Sequence, residues 1–168
     1  MNITVHKETA EHHLQVREIL RACFESDSES MLVELLREHQ QAVISLVAVC
    51  GDEVCGHVMF SPVTTEPTSP ARGLGLAPLA VKASYQKQGI GARLVQEGLR
   101  LSKEMGYEYV VVLGDPKYYQ RFGFEKASQF GIQNEYGADD AFMFINLTGC
   151  VLQAGLVKYC PEFAFLSV

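Results

Sequence analysis

The sequence predicts an α/β (α+β) fold: a central, mostly antiparallel mixed sheet that carries one parallel βαβ unit and is flanked by helices. Three patterns predict it. Two amphipathic helical stretches occupy residues 14–40, and an aliphatic strand–turn–strand pattern over 43–60 reads as an antiparallel hairpin. An apolar strand, a glycine turn, an amphipathic helix and a second apolar strand then follow in order between 74 and 113, which is the order of a βαβ unit.

Taken along the chain, residues 3–5 form a first short strand, and Leu14, Val16, Ile19, Leu20, Cys23 and Phe24 then recur at helical spacing. Ser28 opens a second helix, with Met31, Leu32, Leu35 and Leu36 on its apolar face and an end near Gln40. The two helices are expected to cover one face of the sheet. In the hairpin, residues 43–50 and 54–60 are the strands, Gly51-Asp52 is the turn signal, and Pro62 is expected to interrupt the second strand. Residues 62–70 contain three prolines among Thr and Ser, which predicts an exposed loop.

Residues 74–81 are nearly all apolar, as in a strand buried on both faces. Leu94, Val95, Gly98, Leu99 and Leu101 place a helix over 90–105, and residues 109–113 form the next strand, parallel to 74–81. Asp115-Pro116 has the form of an N-cap followed by proline at the first helical position, and Gly123 that of a helix stop, which bounds a short helix over 116–122. Residues 142–147 and 156–159 read as further strands, expected to pair antiparallel at one end of the sheet.

Length and composition fit one domain over residues 1–168: 48% apolar and 20% charged residues are ordinary globular usage. A domain of this size buries roughly 70% of the surface of its unfolded chain. A net charge of -6 argues against nucleic-acid partners, which need clustered Lys and Arg, and mildly favours a cationic substrate. The five cysteines, with no Cys-x-x-Cys, read as reduced core thiols; Cys50 and Cys55 could face each other across the hairpin, but the expected compartment disfavours a disulfide. The start, Met1-Asn2-Ile3-Thr4-Val5-His6, lacks a signal-peptide pattern, and no apolar run approaches the ~20 residues needed to span a bilayer. The expectation is a cytoplasmic protein that does not engage a membrane.

The segment with the most chemistry runs from the strand end Leu79, Ala80 and Val81 through Gln86, Lys87, Gln88, Gly89, Ile90, Gly91 and Ala92. Unpaired amides at a helix start, together with the positive end of the helix dipole, bind phosphate, and glycines let a bulky pyrophosphate approach the backbone. The turn is neither a dinucleotide fingerprint, since Leu94 stands where a third glycine is needed, nor a P-loop.

Gln86-x-x-Gly89-x-Gly91 resembles the [Arg/Gln]-x-x-Gly-x-[Gly/Ala] acyl-CoA signature of the GNAT N-acetyltransferases. Tyr118-Tyr119-Gln120-Arg121-Phe122-Gly123-Phe124, about thirty residues on, resembles that family's second block, and the predicted element order agrees with its fold. The segments 74–81 and 112–116 further resemble a bacterial subgroup without an assigned substrate. The resemblance implies acetyl-CoA as cosubstrate and direct acyl transfer to an amine of a small molecule or peptide. It implies pantetheine along Leu79, Ala80 and Val81, pyrophosphate on the amides of Gln88 to Ala92, and Tyr119 as the general acid that protonates the departing thiolate. Tyr118 corresponds to an aromatic packing position.

The acidic residue that many relatives carry on or before this strand is missing, so the base is open between His57, Glu29, Glu34 and a water chain. The histidines show no metal-ligand spacing, no metal is implied, and no Gly-x-Ser-x-Gly nucleophile elbow is present. Two other functions are open: an acyl-CoA-binding sensor with weak chemistry, and a scaffold using its apolar tail, residues 151–168, as an interface. A homodimer is compatible with each. The segments 62–72 and 130–140, expected to border the acceptor, carry no motif.

Overall fold

The computed structural model describes residues 2–165. In chain order the strands are β1 (Ile3–Lys7), β2 (Ile44–Cys50), β3 (Glu53–Glu66), β4 (Gly73–Val81), β5 (Tyr109–Leu113), β6 (Glu125–Lys126), β7 (Ile132–Asn134), β8 (Phe142–Asn146) and β9 (Gly155–Lys158). The helices are α1 (His13–Phe24), α2 (Ser28–Glu38), α3 (Ile90–Glu104) and α4 (Pro116–Tyr119), with short 3-10 turns between elements. The main sheet runs β1-β2-β3-β4-β5-β8-β6, antiparallel except where β4 pairs β5 in parallel, Gly73 to Leu76 against Tyr109 to Val112.

Two apolar clusters sandwich the sheet. One joins α1 and α2 through Val16, Leu20, Leu32 and Leu36 to Val47, Met59 and Val111; the other joins α3 through Ile90, Leu94 and Val95 to Phe60, Leu74 and Val112. Strand alternation produces both, because neighbouring residues of one strand point to opposite faces. The close seat of α3 depends on Gly98, where a Cβ would lie 2.2 Å from the Phe60 ring.

Two expectations need correction. Strand β3 does not stop at Pro62 but continues to Glu66, so the loop is shorter than residues 62–70. Pro62 is tolerated because its edge of β3 faces neither β2, whose pairing ends at Phe60, nor β9, whose pairing begins at Thr64. The missing N–H therefore breaks no ladder bond, while the Pro62 carbonyl on that edge accepts from Cys160 Sγ at 3.1 Å. The extension also explains the second correction. Residues 142–147 and 156–159 do not pair with each other: β8 takes the free edge of β5, whereas β9 pairs with the end of β3 and, in parallel, with β7. The last residues of the apolar tail, 166–168, lie outside the described residues.

The five cysteines are free. Cys55, buried, donates its thiol to the Ala48 carbonyl at 3.3 Å, and Cys23 donates to Val81 at 3.3 Å. Among the described residues no helix is long and apolar enough to cross a membrane.

Candidate active site

Strand β4 holds an extra residue against β3: Ala77 and Pro78 stand opposite the single residue Met59, between the pairs Phe60–Leu76 and Val58–Leu79. Such a bulge bends a strand and re-aims its end. Pairing with β5 stops at Leu76, so beyond that point the two parallel strands part and the β5-facing edge of β4 has no strand partner. A wedge-shaped gap results, open toward the start of α3.

From Val81 the chain is pinned to the sheet before it turns. Lys82 N–H donates to the Cys55 carbonyl at 2.8 Å, its ammonium pairs with Glu53, and Tyr85 Oη donates to Glu53 Oε1 at 2.8 Å. Lys87 and Gly89 then take positive φ values of 63° and 81°, which reverse the backbone into α3. The first-turn amides of Ile90, Gly91 and Ala92 have no backbone acceptor among the described residues, leaving donors and a helix dipole aimed outward.

A cleft of about 530 Å³ lies over this turn. Leu79, Val81, Gln86, Lys87, Gly89, Ile90, Gly91 and Ala92 line it, which brings together eight of the ten residues expected for the cofactor. Ala80 does not face it: strand alternation turns Ala80 into the cluster under α1 and α2. The exposed Gln88 is also absent from the lining. Gln86 has a structural task as well, since its Nε2 donates to the Val81 carbonyl at 3.0 Å and closes the turn.

Tyr85, Tyr118 and Arg121 complete the wall and were not expected there. The Tyr118 hydroxyl lies 2.6 Å from where a Cβ on Gly91 would stand, so only glycine leaves that ring its place. Arg121 packs its guanidinium over the Tyr118 ring, 4.4 Å from the centroid, and donates from Nε to the Tyr118 carbonyl at 3.1 Å. The spacing of Tyr118 and Arg121, one helical turn apart, was the available signal that they share a face. With Lys87 they give the cleft a positive wall in a chain of net charge -6.

Helix α4 starts as expected, Asp115 Oδ1 accepting from Lys117 N–H at 3.0 Å. Tyr119 is buried behind Tyr118, edge-on to it at 5.0 Å and to Phe124 at 5.7 Å, and is not part of the cleft lining. Its ring fills the space beside Gly114, where a Cβ would be 2.4 Å away, and so sits directly after β5 at the inner end of the gap. Burial, then the neighbouring Tyr118, pushes its phenol well above the ordinary tyrosine range.

None of the expected bases lines the cleft. His57 is fully buried beneath α1 and α2, with Nε2 3.0 Å from both Glu8 Oε2 and Ser45 Oγ. Glu8 is the hub of this cluster, also reaching Arg37 at 2.5 Å and His13 at 3.2 Å. Burial drives the His57 imidazole toward its neutral form. Glu34 is held by Arg17 at 2.5 Å, and Glu29 lies 3.4 Å from Ser26 Oγ. Among the described residues no cluster of three His, Cys, Asp or Glu side chains is placed to hold a metal.

The family model described as the acetyltransferase (GNAT) family matches residues 13–124. The chain is 42% identical over 149 residues to the uncharacterized N-acetyltransferase YhbS of Escherichia coli K12, covering 86% of this chain and 89% of that protein. The crystal structure of YhbS from E. coli in complex with CoA superposes with a TM-score of 0.91 at 36% identity, over 97% of this chain and 92% of the other. A GNAT family acetyltransferase from Brucella melitensis in complex with acetyl-CoA gives 0.82 at 30% identity, over 96% and 98%.

Proposed function

Because the chain belongs to the GNAT acetyltransferase family, we propose that it transfers an acetyl group from acetyl-CoA to a primary amine of a small molecule or peptide by direct attack. The observation that carries this reading is the gap between β4 and β5, which opens onto a turn of free amides and closes on a buried phenol.

The residues fit CoA. Among the described residues the amides of Ile90, Gly91 and Ala92, beside Gly89, are donors without backbone acceptors, and Lys87 and Arg121 add positive charge. The unpartnered edge of β4 offers a peptide-like arm the main-chain groups of Leu79 and the N–H of Val81, whereas Ala80, in step with Lys82, turns its own toward β3. Acetyl-CoA supplies an activated thioester. The β4 edge holds amide donors where an oxyanion would form, and one such donor contributes about 3–4 kcal/mol. Tyr119 keeps its proton near neutrality because burial raises its pKa, and it donates that proton to the thiolate that leaves. With no carboxylate or imidazole in the cleft lining, the proton of the amine leaves to solvent.

Tyr119→Phe tests this directly. Thiol release is expected to fall about 100-fold, with CoA affinity by calorimetry unchanged. Equal turnover in the two proteins would remove Tyr119 from the mechanism. The absence of a base from the cleft favours a second reading, an acyl-CoA-binding sensor, for which both proteins would bind CoA and neither would acetylate amines.

A further inference from the structure

On the α1 and α2 side of the sheet, Tyr159 follows β9 and lays its ring across Gly75 of β4, where a Cβ would come within 2.6 Å of it. Gly75 is paired on both edges, with Ser61 and with Val111, and is the residue before Leu76, the last β4 position paired with β5, so the ring lies over the closed sheet one residue short of the gap. Tyr159 is only 7% exposed, and its hydroxyl has no hydrogen-bond partner among the described residues. Ser61, fully buried and in register with Gly75, has a hydroxyl in the same condition.

An unpaired buried hydroxyl costs about 1–3 kcal/mol. Two of them beside one glycine, one residue before the sheet opens, mark a place built to be completed by a polar ligand. Tyr159 packs in the cluster of α1 and α2, and Tyr119 in that of α3. Burial, then Tyr136, Tyr119 and Glu135, raises the pKa of the Tyr159 phenol and keeps it protonated. The gap between β4 and β5 is where the intervening sheet is open.

Resting on the acetyl-transfer reading, we propose that Tyr159 contacts the acceptor, its hydroxyl oxygen taking a hydrogen bond from the N–H of an amine presented from the α1 and α2 side. The phenol keeps its own proton throughout and orients the nitrogen lone pair toward the acyl carbon. Tyr119 serves the leaving group from the other face, which divides the reaction between two phenols on either side of the sheet.

The test is Tyr159→Phe, which removes one oxygen and keeps the ring. The probe is CoA joined through its sulfur to N-propylacetamide, an analogue that keeps one acceptor N–H, titrated calorimetrically beside plain CoA. The expected result is a tenfold or greater loss of affinity for the analogue, CoA affinity within twofold of wild type, and a Tm no lower than wild type, since an unpaired polar atom has been removed. Equal loss for both ligands, or none for either, would overturn the role of Tyr159. Failure of the wild-type protein to bind CoA would overturn the cofactor reading itself, and with it this one.

Discussion

Gly91 gives the most direct access to the cleft. In Gly91→Val the new Cβ lies 2.6 Å from the Tyr118 hydroxyl, and ordinary contact begins at 3.4 Å, so about 0.8 Å of movement is needed. Tyr118 is half-buried, packed edge-on against Tyr119 and covered by Arg121, so the relief available is to push its hydroxyl into the cleft. The valine branches enter the same space. Both changes obstruct the first-turn amides, and each amide–phosphate hydrogen bond lost costs about 1.5–3 kcal/mol, or roughly 10- to 150-fold in affinity. Calorimetric titration of CoA should therefore show Kd at least tenfold weaker, while the Tm shifts by no more than a few degrees, because Gly91 lies at the open end of α3. A Kd equal to wild type in a folded variant would refute the placement of pyrophosphate on this turn.

Tyr119→Phe should lower thiol release about 100-fold without changing CoA affinity, as steady-state rates and calorimetry would show. The buried carboxylate of Glu8 makes stability acid-sensitive: burial raises its pKa, but hydrogen bonds from His57 and Ser45 and the Arg37 charge outweigh that and hold it at about 2, against an ordinary 4.5. A depressed carboxylate stabilises above its unfolded pKa and loses that contribution as pH falls, so about 3 kcal/mol should disappear between pH 4.5 and 2. Urea unfolding of wild type and Glu8→Gln should accordingly differ at pH 7 and converge toward pH 2; a constant difference would refute this account. Gly98→Ala, which brings a Cβ to 2.2 Å from the Phe60 ring, should destabilise by about 1–3 kcal/mol or more in the same assay.

Local signals were legible in the sequence, and features made by distant partners were not. The βαβ order, the hairpin and the glycine turn before α3 are written in periodicity and glycine placement, and β5 and α3 appear within a residue of their expected limits. The continuation of β3 through Pro62 was hidden, because proline normally ends a strand and only the missing neighbours on that edge excuse it. The pairing of β9 with the end of β3 was hidden with it, because it uses the residues beyond Pro62. His57 looked available because its enclosing residues, Glu8 and Arg37, come from 49 positions before it and 20 before it in the chain, and no local pattern joins them. Of the two adjacent tyrosines, the sequence singled out Tyr119; the fold puts Tyr118 on the cleft wall and Tyr119 behind it.

The fourteen residues of β3 pass three places in one line: Gly56 under Ile90 and Leu94 at the start of α3, Ser61 opposite Gly75 one residue short of the gap, and the stretch from Thr64 to Glu66 that carries β9. Since side chains alternate at every step, deleting a single residue between Gly56 and Thr64 would invert one end of this strand relative to the other. Changes of length that leave the chemistry working must therefore gather in the flanking loop at residues 67–72. A deletion scan through 53–72 should show that asymmetry as a sharp boundary near Glu66, with the loop free to vary in length on one side of it and the shared strand held to a fixed count on the other.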